Sequence, residues 1–343
     1  MNSRPPFVPT SLRPELLAHR YDPGQDAVHF LTVDRATRRA ATFHTDQYLP
    51  EGIEPRVLLR QEALRLASPP APVHFIFHSA FCCSTLLANA FDREGLATSM
   101  KEPAILNDIV GWRRRGAPPA RIAEVMGDAL TLLSRPFQEH EAVVIKPSNV
   151  LNGLALAMLT IRADARALLL YAPLRLFLTS VAKKGLDGRL WVRELFIGLR
   201  TDGLVQRLGF DDKALFGQTD LQIAAAGWLA QQALFVELAR RLGPGRVRTI
   251  DSETLLDDPG RALAVLGEHF GLGLGPTEID EILAGPFRQN SKVGGAFGRA
   301  ERDAERRAAG DAHGDEIDKV ARWAEIVAES AGIPLRLPAA LMP

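Results

Sequence analysis

Five short apolar runs punctuate this chain: 73–77 (V-H-F-I-F), 97–101 (A-T-S-M-K), 142–146 (A-V-V-I-K), 167–171 (A-L-L-L-Y) and 247–250 (V-R-T-I). Each is four or five residues long and bounded by turn formers, which predicts strands buried on both faces. Between them lie longer stretches with apolar residues at helical spacing: 104–114, 119–137, 174–184, 192–208, 218–242 and 259–270. After the first run, Ser84 or Thr85 can cap a helix that carries Leu86, Leu87, Ala90 and Phe91, with Gly95 as its stop. After the third, Asn149 can cap another. Short strands alternating with helices predict an α/β fold, a three-layer parallel sheet of about four or five strands with helices on both faces.

The ends of the chain read differently. Residues 1–70 are expected to form an N-terminal extension, with strands at 28–33 and 41–43 joined through D-R-A-T-R-R and a helix at 55–67, followed by the linker S-P-P-A-P. The α/β domain is expected over 71–298. Residues 299–343 form a C-terminal helical segment packing on it, and their charged, Ala-rich part 299–313 is a surface helix or loop.

Composition narrows the function classes. The 41 Lys+Arg balance 41 Asp+Glu, so no global field draws the 343-residue chain to nucleic acid or to an anionic membrane. No run of about 18 apolar residues is present and the N-terminus lacks an apolar leader, so neither a membrane span nor a targeting segment is expected. The only cysteines, Cys82 and Cys83, are adjacent and cannot staple a fold, which suits a reducing, cytoplasmic location. No cluster of metal ligands is apparent and no metal is expected.

Ligands of such sheets bind beyond the carboxyl ends of the strands, so the residues there are informative. They are His78 and Ser79; Lys101 and Glu102; Lys146 and Ser148; Arg175 and Ser180; Asp251 and Glu253. Two lysines, an arginine and several hydroxyls on one rim suit an anionic ligand, and the strand–loop–helix at 73–95 aims free N–H groups and a helix dipole at one point. Cys82, Cys83 and Ser84 are small enough for the backbone to close on an anion, provided φ stays negative. No G-x-x-x-x-G-K-[ST] occurs, G-L-G-L-G-P at 271–276 follows no strand, and no G-x-S-x-G is present.

The loop S-A-F-C-C-S-T-L-L, 79–87, resembles the [KR]-S-G-[ST]-T-x-L loop of the sulfotransferase family, with Phe81 in place of its cation and Cys83 in place of its glycine. The segment 247–272, with S-E-T-L-L-D-D-P and F-G-L, resembles that family's Y-E-x-L-x-x-D-P strand–turn–helix, and the helix carrying Trp228 precedes it. S-K-V-G-G, 291–295, resembles the segment that closes over the nucleotide. The resemblance spans about residues 73–298 and implies a P-loop-like fold, PAPS (3′-phosphoadenosine 5′-phosphosulfate) as co-substrate and sulfuryl transfer to a hydroxyl or amine. The acceptor would be a small molecule, a carbohydrate or a peptide. Ser79, Phe81, Cys82, Cys83, Ser84 and Thr85 would then hold the phosphosulfate, Arg175 and Ser180 the 3′-phosphate, and Lys292 with Gly294 would cover the nucleotide. Tyr171 and Thr179 stand at the family's Arg and Ser positions for that phosphate. Lys146 would supply the missing cation, with Lys101 in reserve, and Glu102 the general base, with His78 as the other candidate. A nucleotide-dependent phosphotransferase and a non-catalytic, partner-binding descendant are the other readings of the same scaffold.

Overall fold

The computed structural model describes residues 11–288 and 299–342, with the backbone alone for 288 and 299–312. Among these described residues, eight strands form two sheets. β1 (Leu16–Asp22), β2 (Ala27–Thr32) and β3 (Arg56–Leu59) pair antiparallel in that order, while β4 (Val73–His78), β5 (Ala97–Lys101), β6 (Ala142–Lys146), β7 (Ala167–Tyr171) and β8 (Val247–Asp251) form a parallel sheet ordered β5-β6-β4-β7-β8. Each strand of the parallel sheet is buried along most or all of its length, as helices on both faces require. β4 is the central strand. The chain leaves it toward β5 and later crosses back to β7, so its carboxyl end lies at the switch point where such sheets open a crevice.

The expected strands of the parallel sheet are all present, with β4 and β8 each one residue longer. The first helix, Ser84–Phe91, is shorter than expected: Asp92 ends it, and Gly95, at a φ of 76°, belongs to the turn into β5. Helix 119–137 ends at Leu133, and the segment after Ser148 opens as a 3₁₀ helix, Asn149–Leu154, with Ser148 rather than Asn149 at its N-cap. The helix expected at 192–208 begins earlier, as Gly185–Thr201.

The N-terminal unit departs most. β1 was not expected, and residues 56–59 are a strand because they pair with β2, Val28 opposite Leu58, before the chain turns into helix Arg60–Leu66. Residues 41–43 are not a strand. Their backbone groups are spent elsewhere: Lys101 Nζ donates to the carbonyls of Arg39 (2.8 Å) and Ala41, and the His44 N–H donates to Lys101 O at 2.6 Å. At the other end, helix Arg299–Ala331 leads to a tail whose Ala340 bridges Thr249, covering the open edge of β8. Among the described residues no helix is long and apolar enough to cross a membrane.

The N-terminal unit is bonded into the parallel sheet rather than hung from it. Arg35 donates to Glu141 at 2.5 Å, Asp92 at 3.2 Å and the Ala97 carbonyl at 2.8 Å, all three partners lying beside β5 and β6. Arg135 donates to the Leu16 carbonyl at 2.6 Å. Because Asp92 and Glu141 are buried, Arg35→Ala leaves Glu141 without its cation and Asp92 with Arg39, 3.7 Å away, and we expect a loss of about 3 kcal/mol in urea unfolding. An unchanged midpoint would show that the two sheets are not coupled there.

In the central strand, His74 stacks on Phe270 at 4.9 Å, and burial, with Arg166 nearby, pushes its imidazole down to about 4; burial does the same to His269. Both are therefore neutral in the folded state, while the unfolded chain binds protons from the ordinary imidazole value of about 6.5 downward. Stability should fall as pH drops from about 6.5 to 4, and His74→Phe should flatten that part of the curve, measured as denaturation midpoint against pH.

Candidate functional site

The turn after β4 contains no glycine, yet Ala80, Phe81 and Cys83 have φ of 72°, 52° and 64°. Each such residue costs of order 1–2 kcal/mol, so the surrounding structure must impose the shape. Together with Glu102, at 48°, these are four of the seven positive-φ non-glycine residues among those described. Strain is thus concentrated where β4 and β5 end. Cys82 is not among them and Ser84 enters the helix, so φ alternates in sign from Phe81 to Ser84. That alternation turns successive N–H groups to one side and makes a nest for an anion. The expectation of negative φ throughout fails at Cys83, which takes the conformation glycine adopts most easily, at the place where the resembled loop has one.

Cys83 is the N-cap of helix Ser84–Phe91 and makes no side-chain cap, so the first-turn N–H groups have no acceptor within the helix. Ser84 and Thr85 lie inside that first turn, not at the cap, and both line a cleft of about 660 Å³ above the carboxyl edge of the sheet. Phe81 lines it too. Ser79 does not: it is buried, with its Oγ accepting from the Ala172 N–H at 3.2 Å and tying β4 to the residue after β7. Cys82 is buried with its Sγ 3.4 Å from the Leu170 carbonyl.

His78 holds the turn in place. Its Nδ1 accepts from the Ala80 N–H at 3.1 Å, so Nε2 carries the proton and donates to the Pro147 carbonyl, also at 3.1 Å. With both nitrogens engaged by backbone, the imidazole has no lone pair left for a reacting proton. Asn152 Nδ2 secures the same strand end through the His78 carbonyl at 3.0 Å.

The other side of the cleft comes from β5 and β6. Lys101 and Lys146 are register partners, but their side chains part. Lys101 turns into the N-terminal unit, where burial pushes its ammonium down to about 8. Lys146 lines the cleft, ion-paired with Glu102 Oε1 and with its Nζ 4.6 Å from the centre of the Phe43 ring. The side chain of Lys146 is 1% exposed and that of Glu102 16%, so the carboxylate is the member nearer solvent. The Glu102 N–H donates to the Lys146 carbonyl at 2.7 Å, which fixes its left-handed backbone. His78 Nε2 lies 3.8 Å from Glu102 Oε1. Glu102, Lys146, His78, Phe81, Ser84 and Thr85 therefore meet in one cleft.

Arg175 and Ser180 do not. Arg175 lies on the rim of a second cleft of about 750 Å³, beyond β7 and β8, and is ion-paired with Asp318. Asp251, Glu253, Asp257 and Glu325 line that cleft, against Arg175 and Arg336 as its cations. Ser180 Oγ donates to the Leu176 carbonyl of its own helix at 2.9 Å. Lys292 and Gly294 lie outside the described residues. The loop, with its alternating φ, its helix start without a side-chain cap and Lys146 nearby, suits one anionic group. The described residues do not gather cations for a second phosphate.

Sequence reasoning missed part of the cleft. Phe43 and Tyr48 enter it from the N-terminal unit, where no chemistry was expected, Asp187 and Trp191 from the helix that starts before its expected position, and Lys184 from the junction just ahead of that helix. No local signal marks residues 43–48, since what brings them to the cleft is their attachment to Lys101. Among the described residues no group of three or more His, Cys, Asp or Glu side chains is placed to hold a metal ion.

No protein-family model and no curated protein matches the chain. Solved structures are similar to it, two of them sulfotransferase domains. One, the sulfotransferase domain from the curacin biosynthetic pathway, is 14% identical with a TM-score of 0.37, over 66% of this chain and 81% of that one. The other, the sulfotransferase domain from the Synechococcus PCC 7002 olefin synthase, is 15% identical with a TM-score of 0.37, over 66% and 82%. Likeness at this level assigns neither substrate nor chemistry, which rest on the residues of the cleft.

The strain at residue 83 has a measurable sign. Cys83→Gly should be more stable than Cys83→Val by about 1–2 kcal/mol, because a β-branched side chain is the poorest fit to a left-handed backbone. Equal denaturation midpoints for the two variants would show that the backbone there is not held at positive φ.

Proposed function

We propose that the cleft at the end of β4 transfers a sulfuryl group from PAPS to a hydroxyl or amine acceptor. The observation that carries this reading is one cleft holding both an anion nest at an uncapped helix start and a lysine–glutamate pair from the neighbouring strand ends. When bound, PAPS supplies a sulfuryl group on a phosphate leaving group.

The N–H groups at the start of helix Ser84–Phe91 and the hydroxyls of Ser84 and Thr85 hold the sulfated end. Because Phe81 replaces the expected loop cation, positive charge comes from Lys146. Its ammonium is buried between Glu102 and the Phe43 ring, where a fixed charge acts far more strongly than in water. Lys184, whose Nζ lies 5.9 Å from the centre of the Phe81 ring, adds a second cation at the rim. Glu102 is the general base: it is the more exposed member of its ion pair, and it lines the cleft beside Ser84 and Thr85. An acceptor hydroxyl gives its proton to Glu102 as it attacks. His78 is a positioning residue, keeping the nest and the end of β6 in register. A metal ion is not called for, since a sulfuryl group carries less charge than a phosphoryl group.

Radiolabelled PAPS with a pool of hydroxyl acceptors provides the test. Lys146→Ala and Glu102→Gln should each lower transfer by about 10²–10³-fold. Undiminished transfer in both ends these assignments. Calorimetry with adenosine 3′,5′-bisphosphate should show binding; its absence at millimolar nucleotide overturns PAPS as donor, and tighter binding of ATP with magnesium points to a phosphotransferase instead.

A further inference from the structure

Two pairs of aromatic rings line the cleft. Phe43 and Tyr48 meet edge to face with centroids 5.2 Å apart, and Phe81 and Trp191 meet edge to face at 5.4 Å. One ring of each pair is already committed to a lysine, Phe43 to Lys146 and Phe81 to Lys184. Tyr48, 39% exposed, is left as the large ring at the open side of the N-terminal wall. Aromatic faces and edges of this kind gain most from a flat apolar ring, whereas a sugar offers mainly hydroxyls that need matched polar partners.

The N-terminal wall has its own anchor. Residues 41–49 contain no regular secondary structure, so their position depends on a few bonds. Asp46 is tied to β1 through His19 at 2.5 Å and Arg20 at 2.7 Å, and the bonds nearer Phe43 converge on the end of β5: Lys101 Nζ to the carbonyls of Arg39 and Ala41, His44 N–H to Lys101 O at 2.6 Å, and Ala104 N–H to His44 O at 3.1 Å. A fully buried lysine spent on two carbonyls of an irregular turn is a costly arrangement unless that turn has to be held. The next residue along the chain from Lys101 is Glu102, so the same strand end fixes the base and the wall.

We infer that residues 41–49 of the N-terminal unit are the acceptor-selecting wall of the cleft, anchored by Lys101, and that they select a flat, apolar ring bearing the reactive group. This rests on the transfer reading for the meaning of acceptor. Phe43 and Tyr48 are specificity-determining residues, and Lys101 is a positioning residue that acts through them.

The test reads binding rather than turnover. 2-Naphthalenemethanol and methyl glucoside are titrated by calorimetry into the wild-type chain, Tyr48→Ala and Lys101→Met, each also titrated with adenosine 3′,5′-bisphosphate. The naphthalene alcohol should bind the wild type more tightly than the glucoside, and Tyr48→Ala should weaken it roughly three- to tenfold. Lys101→Met should weaken the alcohol but not the bisphosphate, a split that general loosening of the fold would not produce. Tyr48→Ala, altering a half-exposed residue, decides the matter if Lys101→Met does not fold. Equal affinity of wild type and Tyr48→Ala for the alcohol, or preference for the glucoside, overturns the inference. Alcohol binding that depends on Tyr48 without bisphosphate binding by any variant supports the wall and counts only against PAPS.

Discussion

One imidazole decides how the two halves of the cleft face each other. His78, at the end of the central strand, takes the Ala80 N–H on one nitrogen and gives a proton to the Pro147 carbonyl with the other. The first bond starts the left-handed turn that becomes the anion nest. The second reaches the residue after Lys146, and so sets the distance between the left-handed turn and that lysine. A strained, glycine-free loop persists only if its surroundings over-determine it, and these two bonds, with Ser79 to Ala172 and Asn152 to the His78 carbonyl, are what over-determine it.

The same economy explains the arrangement of charge. A loop without its own cation needs one from elsewhere, and a buried lysine is costly unless it is paired. Lys146 meets both conditions, because Glu102 stabilises it as an ammonium and the Phe43 ring adds an electrostatically favourable face. Lys101, its neighbour across the ladder, has the same residue type and an equally buried strand end, and a different job: with only backbone carbonyls for partners, its ammonium is pushed down to about 8. Identical side chains in adjacent register positions are separated in role by which way the chain beyond each strand turns.

The N-terminal unit follows from the same bonds. Its antiparallel sheet, Arg35 salt bridges and Lys101 anchor tie it to β5 and β6, and this places Phe43 and Tyr48 in the cleft. It is a wall of the site as well as an addition to the fold. The second cleft, beyond β7 and β8, has more carboxylates than cations among its lining residues, which makes it the less suited of the two clefts to an anion.

By itself the sequence determined the parallel sheet. Runs such as A-V-V-I-K and A-L-L-L-Y are apolar on both faces, and burial on both faces is a property of the run alone. It also determined that Lys146 and Glu102 would stand at strand ends, because strand ends follow from strand limits, while the order of the sheet made those two strands neighbours. Only the tertiary structure decided the sign of φ in the loop, since nothing local asks Ala80, Phe81 or Cys83 for a left-handed backbone; the bonds of His78 and the strand spacing do. It alone turned Lys101 away from the cleft and Arg175 toward another, a choice made by acceptors far away in sequence. It alone made residues 16–22 and 56–59 strands and denied that state to 41–43, because edge strands exist only where a partner offers its free backbone groups.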